Sequence, residues 1–289
     1  NALAVQNAGA DAYNIAIGHN AGTTVSTGVA NTLIGGLAGD ALDVGGENVA
    51  IGTAALTSDT KGSHSTAVGR GALQVQNFTS ATDTNNTAVG YYAGSAVTVG
   101  VNNVLIGAYA GDALTDADFN VAMGFQALTN DTLGSGSTAI GHHALQTQNF
   151  SSATTTYNTA VGYQAGKATT TGVRNILVGG LTGDAITGGQ RNVAMGHGAL
   201  SDDTQGNRCV AIGYQALMNE NSTNTETYNV AVGYTAGAQI STGINNTIVG
   251  GLAGDALTTG GRNTVLGYAA LSSEDEHGRN VAIGYQALT

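Results

Sequence analysis

The sequence predicts an all-β fold, a parallel β-roll (β-solenoid) of 17-residue rungs. Three observations carry that expectation. First, a motif of the form Asn-x-Ala-Ile-Gly recurs sixteen times, beginning with Asn14-Ile15-Ala16-Ile17-Gly18. Second, its leading residues fall at 14, 31, 48, 65, 86, 103, 120, 137, 158, 175, 192, 209, 229, 246, 263 and 280, so a period of 17 sits inside a longer period of about 72. Third, the composition suits a stacked β structure: 45 Gly, no Pro, 9% charged residues and 42% apolar ones in 289 residues. A unit this short cannot bury its own apolar face, so neighbouring units must stack. The whole chain, 1–289, therefore reads as one continuous array. Its super-repeats lie at about 14–85, 86–157, 158–228 and 229–289, with 1–13 as the tail of a preceding one.

Within a rung, counted from the leading residue as position 1, each element has a reason. Position 1 is Asn in thirteen units and Ser65, Ser137 or Cys209 in the others. Asn suits the turn into a strand, and stacked Asn side chains form amide ladders in cross-β structures. Position 2 is always Thr, Val or Ile, and position 4 is always aliphatic or Met. Alternation places these two on one face of a strand of four or five residues. Position 3 faces the other way and is never polar: Ala in most units, but Leu33, Leu105, Leu177, Ile248 and Val265 in five. A strand apolar on both faces is one buried on both faces. One face can pack on a second, less regular strand of the same chain. The other calls for a partner chain, and the small Ala at position 3 would let it approach closely.

Position 5 is Gly throughout: Gly18, Gly35, Gly52, Gly69, Gly90, Gly107, Gly124, Gly141, Gly162, Gly179, Gly196, Gly213, Gly233, Gly250, Gly267 and Gly284. Such a fixed Gly implies positive φ or a close backbone approach. Position 9 follows the long period, as Gly22, Gly39, Leu56 and Leu73 and then again in the same order.

The run Asn-x-Ala-Ile-Gly-x-x-Ala, with Asn48-Val49-Ala50-Ile51-Gly52 and Asn280-Val281-Ala282-Ile283-Gly284 as its best examples, resembles the head repeats of YadA-like trimeric autotransporter adhesins. It is also similar to phage tail-fibre repeats that carry Tyr-Gln-Ala after the Gly, as Tyr163-Gln164-Ala165 does here. The resemblance implies a left-handed roll and a homotrimer, with the regular strand innermost. The sequence departs from those heads in its longer rung, in Ala where they have Ser, and in the 72-residue block.

The net charge of −11 and pI near 4.6 argue against nucleic acid as a partner. The eight cations read as scattered from Lys61 to Arg279. No stretch is apolar enough for membrane insertion. Cys209 stands where other units have Asn, and reads as a replacement rather than a nucleophile. Asn77, Asn149 and Asn221 each open an Asn-x-Ser/Thr sequon in the extra residues of a fourth rung, a candidate glycan or receptor loop, with a plain solvent loop as the alternative. Tyr91, Tyr92, Tyr109, Phe125, Tyr163, Tyr214, Tyr234, Tyr268 and Tyr285 cluster after the Gly, as a ladder of rings or a sugar-stacking row. Gly35-Gly36-Leu37-Ala38-Gly39-Asp40 resembles a calcium-binding nonapeptide, but Asp40, Asp112, Asp184 and Asp255 recur only once per block, so no metal is expected. No catalytic constellation and no cofactor motif stands out.

The function expected is a structural protein, the shaft or head of an extracellular, cell-surface or virion fibre that carries adhesive contacts for a host receptor or glycan. The chain's two ends are in phase, which predicts end-to-end continuation in a longer fibre. The alternatives are an ice- or polysaccharide-binding solenoid and, less favoured, a glycan-degrading tailspike enzyme.

Overall fold

The computed structural model describes residues 1–9, 11–223, 226–273 and 276–289. It is an all-β parallel solenoid of about sixteen coils, with no helix among the described residues. Two compact units divide the chain, Asn1–Ile140 with Asn149–Thr155, and Gly141–Gln148 with Thr156–Thr289.

The first unit carries eight three-residue strands: Ile15–Ile17, Thr32–Ile34, Val49–Ile51, Thr66–Val68, Thr87–Val89, Val104–Ile106, Val121–Met123 and Thr138–Ile140. Each pairs in parallel with the next, so that Ile15 lies beside Thr32 and Thr66 beside Thr87. The second unit repeats this with Thr159–Val161, Ile176–Val178, Val193–Met195, Val210–Ile212, Val230–Val232, Thr247–Val249, Thr264–Leu266 and Val281–Ile283. The strands are shorter than the four or five residues expected, because the position-5 Gly turns the chain immediately. Its φ lies between 127° and 146°, and a Cβ at Gly18 or Gly162, for example, would strike the Gly of the next coil.

The expected second strand is reduced to two-residue pairs in the first unit, Gly62–Ser63 with Thr82–Asp83 and Gly134–Ser135 with Thr154–Thr155, and a single bridge between Asn207 and Glu226 in the second. Elsewhere among the described residues the coils are joined by isolated backbone hydrogen bonds, such as Gly22 N–H to Ala38 O at 2.9 Å and Thr187 N–H to Thr204 O at 2.9 Å.

The two faces of the strand are the reverse of the sequence expectation. Position 3, read there as the thin face a partner approaches, points into the chain's own core: Leu33, Ala50, Ala67, Leu177 and Ala194 are fully buried. Positions 2 and 4 point outward. The reason is that positions 1 and 3 share a side, and the leading Asn must stay inside to meet backbone groups. Asn31 Nδ2 donates to Gly45 O at 3.0 Å in its own coil, and Asn31 Oδ1 accepts from the backbone N–H of Asn48 at 3.0 Å in the next. Asn175 does the same with Gly189 O at 2.8 Å and Asn192 N–H at 3.0 Å. The Asn column is therefore a series of side-chain-to-backbone staples rather than the amide ladder expected. A direct amide-to-amide contact occurs between Asn103 Nδ2 and Asn86 Oδ1, at 3.3 Å.

The core explains the 72-residue block by volume. In the second coil of a block, Leu105 spreads its two Cδ atoms over Gly94 and Gly111: a Cβ at those glycines would come within 2.6 Å and 2.8 Å of Leu105. Leu177 covers Gly166 and Gly183 in the same way, at 2.7 Å and 2.9 Å. In the third and fourth coils position 3 is Ala, except for Val265 in the last block, and the vacated volume is taken by a buried Leu at position 9, as in Leu56 and Leu73. Close packing requires this exchange of large for small.

Candidate functional site

Two features of the solenoid carry chemistry, one inside and one outside. Inside, position 12 is apolar in the first two coils of a block, as Val25 and Leu42, with Thr169 as the exception, and polar in the next two, as Asp59 and Gln76. These polar residues serve the coil whose leading residue is Ser rather than Asn. Gln76 Nε2 donates to Asp59 Oδ2 at 2.6 Å and to Ser65 Oγ at 2.8 Å, while Gln76 Oε1 accepts from Asn86 Nδ2 at 2.8 Å. Asp59 Oδ1 accepts the backbone N–H of Gly62 at 2.9 Å. Ser65 Oγ and the Thr84 hydroxyl also bond to each other. Asp59, Ser65, Gln76, Thr84 and Asn86 are each no more than 1% exposed, so the network is sealed and its polar groups must find one another.

The third block changes this network. Glu220 stands in place of Gln76 and Cys209 in place of Ser65. Glu220 Oε2 accepts from Asn229 Nδ2 at 2.7 Å and Oε1 from Ser222 Oγ at 2.5 Å. Asp203 Oδ1 accepts the N–H of Gly206 at 2.7 Å, but Asp203 Oδ2 has no hydrogen-bond partner among the described residues. Where Gln supplies an N–H donor to the Asp, Glu supplies one only when protonated.

Burial pushes Asp203 up to about 6, against the pull of the backbone donors of Gly206, Gln205 and Thr204. Burial also pushes Glu220 up to about 7, against the Ser222 and Asn229 hydrogen bonds and with help from the Asp203 charge. Cys209 is fully buried with its Sγ 2.7 Å from Thr227 Oγ1, and burial, followed by the Glu220 charge, raises its thiol. A thiol so placed is inert. The cluster can hold a proton, and no member is open to a substrate.

The sign of the resulting pH dependence follows from the raised values. Both acids bind protons more tightly folded than unfolded, so their contribution to stability is fully present near pH 4 and is lost as pH rises through 6 to 7. Restoring the ordinary residue by Glu220→Gln is expected to stabilise these coils at pH 8 by about 3 kcal/mol, given a rise from the usual 4.5 to about 7. At pH 4 the variant and the parent should match. Hydrogen exchange at Val210–Ile212 and Val230–Val232 reads the effect. Equal protection of parent and variant at pH 8 would remove the acid pair as its cause.

Outside, residues at positions 0 (the one before the leading residue), 2, 4 and 6 share one face. In Tyr157-Asn158-Thr159-Ala160-Val161-Gly162-Tyr163, the odd positions Asn158 and Ala160 are buried while Tyr157 and Tyr163 are 60% and 55% exposed. Position 4 leaves its aliphatic side chains half-buried, as Ile34, Ile51 and Val178, or exposed, with Ile17 60%, Met195 41% and Leu266 48% exposed.

Position 6 carries most of the aromatic residues read from the sequence. His197, Tyr214 and Tyr234 stack in succession at 5.7 Å and 5.3 Å, and Tyr268 stacks on Tyr285 at 5.6 Å. In the first unit Tyr109 sits edge-on between Tyr91 and Phe125, at 5.4 Å and 6.4 Å. His142, of the adjacent His142-His143 pair, stacks on Tyr163 at 5.4 Å.

The cations are not scattered once the chain is coiled. Five of its six Arg, namely Arg174, Arg191, Arg208, Arg262 and Arg279, stand at position 0. A reading of neighbours along the chain missed this column, and folding the sequence on its 17-residue period exposes it.

The sequon residues Asn77, Asn149 and Asn221 are exposed, and each accepts a hydroxyl hydrogen bond through Oδ1, from Thr60, Thr132 and Thr204 at 3.0, 3.1 and 3.0 Å. The residues that follow, Phe78, Phe150 and Ser222, are buried and anchor the loops. Asn224, at the end of the third loop, lies outside the described residues. Asp40 and Asp112 accept the hydroxyls of Thr57 and Thr129. No three His, Cys, Asp or Glu among the described residues are grouped to hold a metal. Compared with protein-family models, curated proteins and solved structures, the chain matches none.

Proposed function

We propose that this chain is a structural protein, the shaft or head of an extracellular or virion fibre. In this reading its coils are left-handed 17-residue rungs grouped in 72-residue blocks, and three copies stand side by side about a common axis.

The observation that carries the reading is the outward aliphatic face. Each strand is apolar at positions 3 and 4, on its two sides, but the chain fully covers only the inner one. Ile, Val, Met and Leu side chains recur at the outward position 4 of successive coils in each unit. Soluble monomers rarely leave so ordered an apolar stripe open. A partner that covers a face repeating every 17 residues needs the same period, and a second copy of the chain has it. The number three rests on the likeness to the adhesin and tail-fibre repeats. The exposed loops at Asn77, Asn149 and Asn221 would then present repeated weak contacts to a host receptor or glycan, adding by avidity.

Sedimentation or light scattering tests the assembly directly. The expected particle has three times the 28.6 kDa mass of the chain. A stable monomer at micromolar concentration would overturn the reading.

A further inference from the structure

The outward face has two edges, position 0 on one side and position 6 on the other, and they differ in chemistry. Within one coil the two edges are separated by the strand and by the Gly turn, at most about 20 Å of chain. Any assembly that rotates parallel copies about an axis along the stacking direction brings the position-0 edge of one copy against the position-6 edge of the next, at the same level.

The position-0 column combines two features, the first of which it shares with positions 7 and 9. Its non-Gly residues all have left-handed backbone, which Asn or Gly adopt most readily. Asn85, Asn102, Gly136 and Asn245 use those residue types. Yet nine of the sixteen positions hold an Arg or an aromatic residue, with φ between 50° and 68°. Bulky side chains held in an unfavourable conformation point to a role for the side chain itself. Arg and aromatic residues are also the types that dominate interface energetics.

The two edges match at several levels. In the second unit, where column 0 holds the five Arg, column 6 offers rings at three of those levels: Tyr214 at that of Arg208, Tyr268 at that of Arg262 and Tyr285 at that of Arg279. Gly180 and His197 stand at the levels of Arg174 and Arg191, and Arg208 also pairs with Glu226 and Tyr228 of its own chain. In the first unit an acid-flanked residue of column 0 lies level with a cation of column 6. There His64 of column 0 lies 3.4 Å from Glu47 and 3.3 Å from Asp83, and the sixth Arg of the chain, Arg70, stands in column 6 at the same level as His64. If column 0 met its own copy instead, Arg would face Arg and carboxylate would face carboxylate.

We infer that neighbouring copies of this chain join along a seam in which column 0 of one packs on column 6 of the next, in parallel and level, with Arg262 and Arg279 over Tyr268 and Tyr285 of the neighbouring copy and Tyr157 against Tyr163. The seam rests on the side-by-side assembly proposed above. It specifies what that assembly leaves open, namely which edges meet and in which register. Guanidinium over an aromatic ring is a favourable contact that tightens as water is excluded.

The test uses the full chain with Cys209→Ser, the residue type found at Ser65 and Ser137. Tyr157→Cys and Tyr163→Cys are introduced singly and together, and the assembled protein is treated with a short bismaleimide, any link within one chain being recognised because it leaves the mass of a single chain. The double variant is expected to cross-link to a covalent trimer. Each single variant should stay uncrosslinked, and a mixed assembly of the two singles should cross-link. A trimer in which the double variant fails to cross-link, or a single variant that links to itself, overturns the seam and leaves the trimer standing. A particle of twice the chain mass that links only as the double variant keeps the seam and overturns the trimer. A monomer overturns both. Where the two ring substitutions prevent assembly, the same experiment at Asn102→Cys and Ala108→Cys, the equivalent positions of a coil with small edges, gives the same discrimination.

Discussion

Replacing Gly107 by Ala is expected to cost about 3–5 kcal/mol. Gly107 has φ of 130°, and the added Cβ would lie 2.5 Å from the carbonyl oxygen of Gly124 and 2.7 Å from its carbon. Neither atom can yield, because the Gly124 peptide is itself fixed in the ladder, with its N–H bonded to Ile106 O at 2.7 Å. The damage should be local, since coils in a solenoid lean mainly on their neighbours. Protection against hydrogen exchange should fall at Val104–Ile106 and Val121–Met123 before it falls elsewhere in that unit. Gly36→Ala is the matched control. Its Cβ would meet nothing within 4 Å, so a change under about 0.5 kcal/mol is expected. Equal behaviour of the two variants would mean that the contact between successive glycines does not limit the fold.

The second large effect belongs to the Asn staples. Asn175→Ala removes the donor to Gly189 O and the acceptor for Asn192 N–H, and Asn175 is fully buried. Two backbone groups would be left without partners at roughly 1–3 kcal/mol each, so a loss of about 2–5 kcal/mol is expected. Denaturation of the variant measures it. The block's own fourth coil shows what a viable replacement requires: where Ser65 stands in place of Asn, it comes with Gln76, Asp59 and Thr84 around it. Ser alone at 175 should therefore fare little better than Ala. Stability within about 0.5 kcal/mol of the parent for either variant would remove the staple from the account.

The repeat, the strand positions and the turn at the Gly were all legible in the sequence, because each depends on neighbours within about eight residues. The direction of the strand was not. Alternation tells which residues share a face but carries no sign, and both faces here are apolar. Ile at position 4 looked like core, and Ala at position 3 looked like a thin contact face. The sign is set by Asn at position 1, whose partners are a carbonyl fourteen residues on and an N–H seventeen residues on, as for Asn31. The buried network was hidden for the same reason. Asp59 and Gln76 lie seventeen residues apart and look like ordinary surface residues until the chain is coiled. The regular alternation of two apolar with two polar residues down the position-12 column was the available signal. The Arg column was equally available, and reading charge along the chain concealed it.

The Leu that roofs two glycines has a consequence for how such a chain can grow. One Leu105 depends on two missing side chains, at Gly94 and Gly111, in successive coils. Deleting or duplicating a single coil would leave a Leu without its hollow or a hollow without its Leu. Exchanging a whole block leaves every such pairing intact. Length in this array is therefore quantised: genetic recombination that respects the 72-residue unit yields a foldable chain of new length, and recombination by seventeen does not.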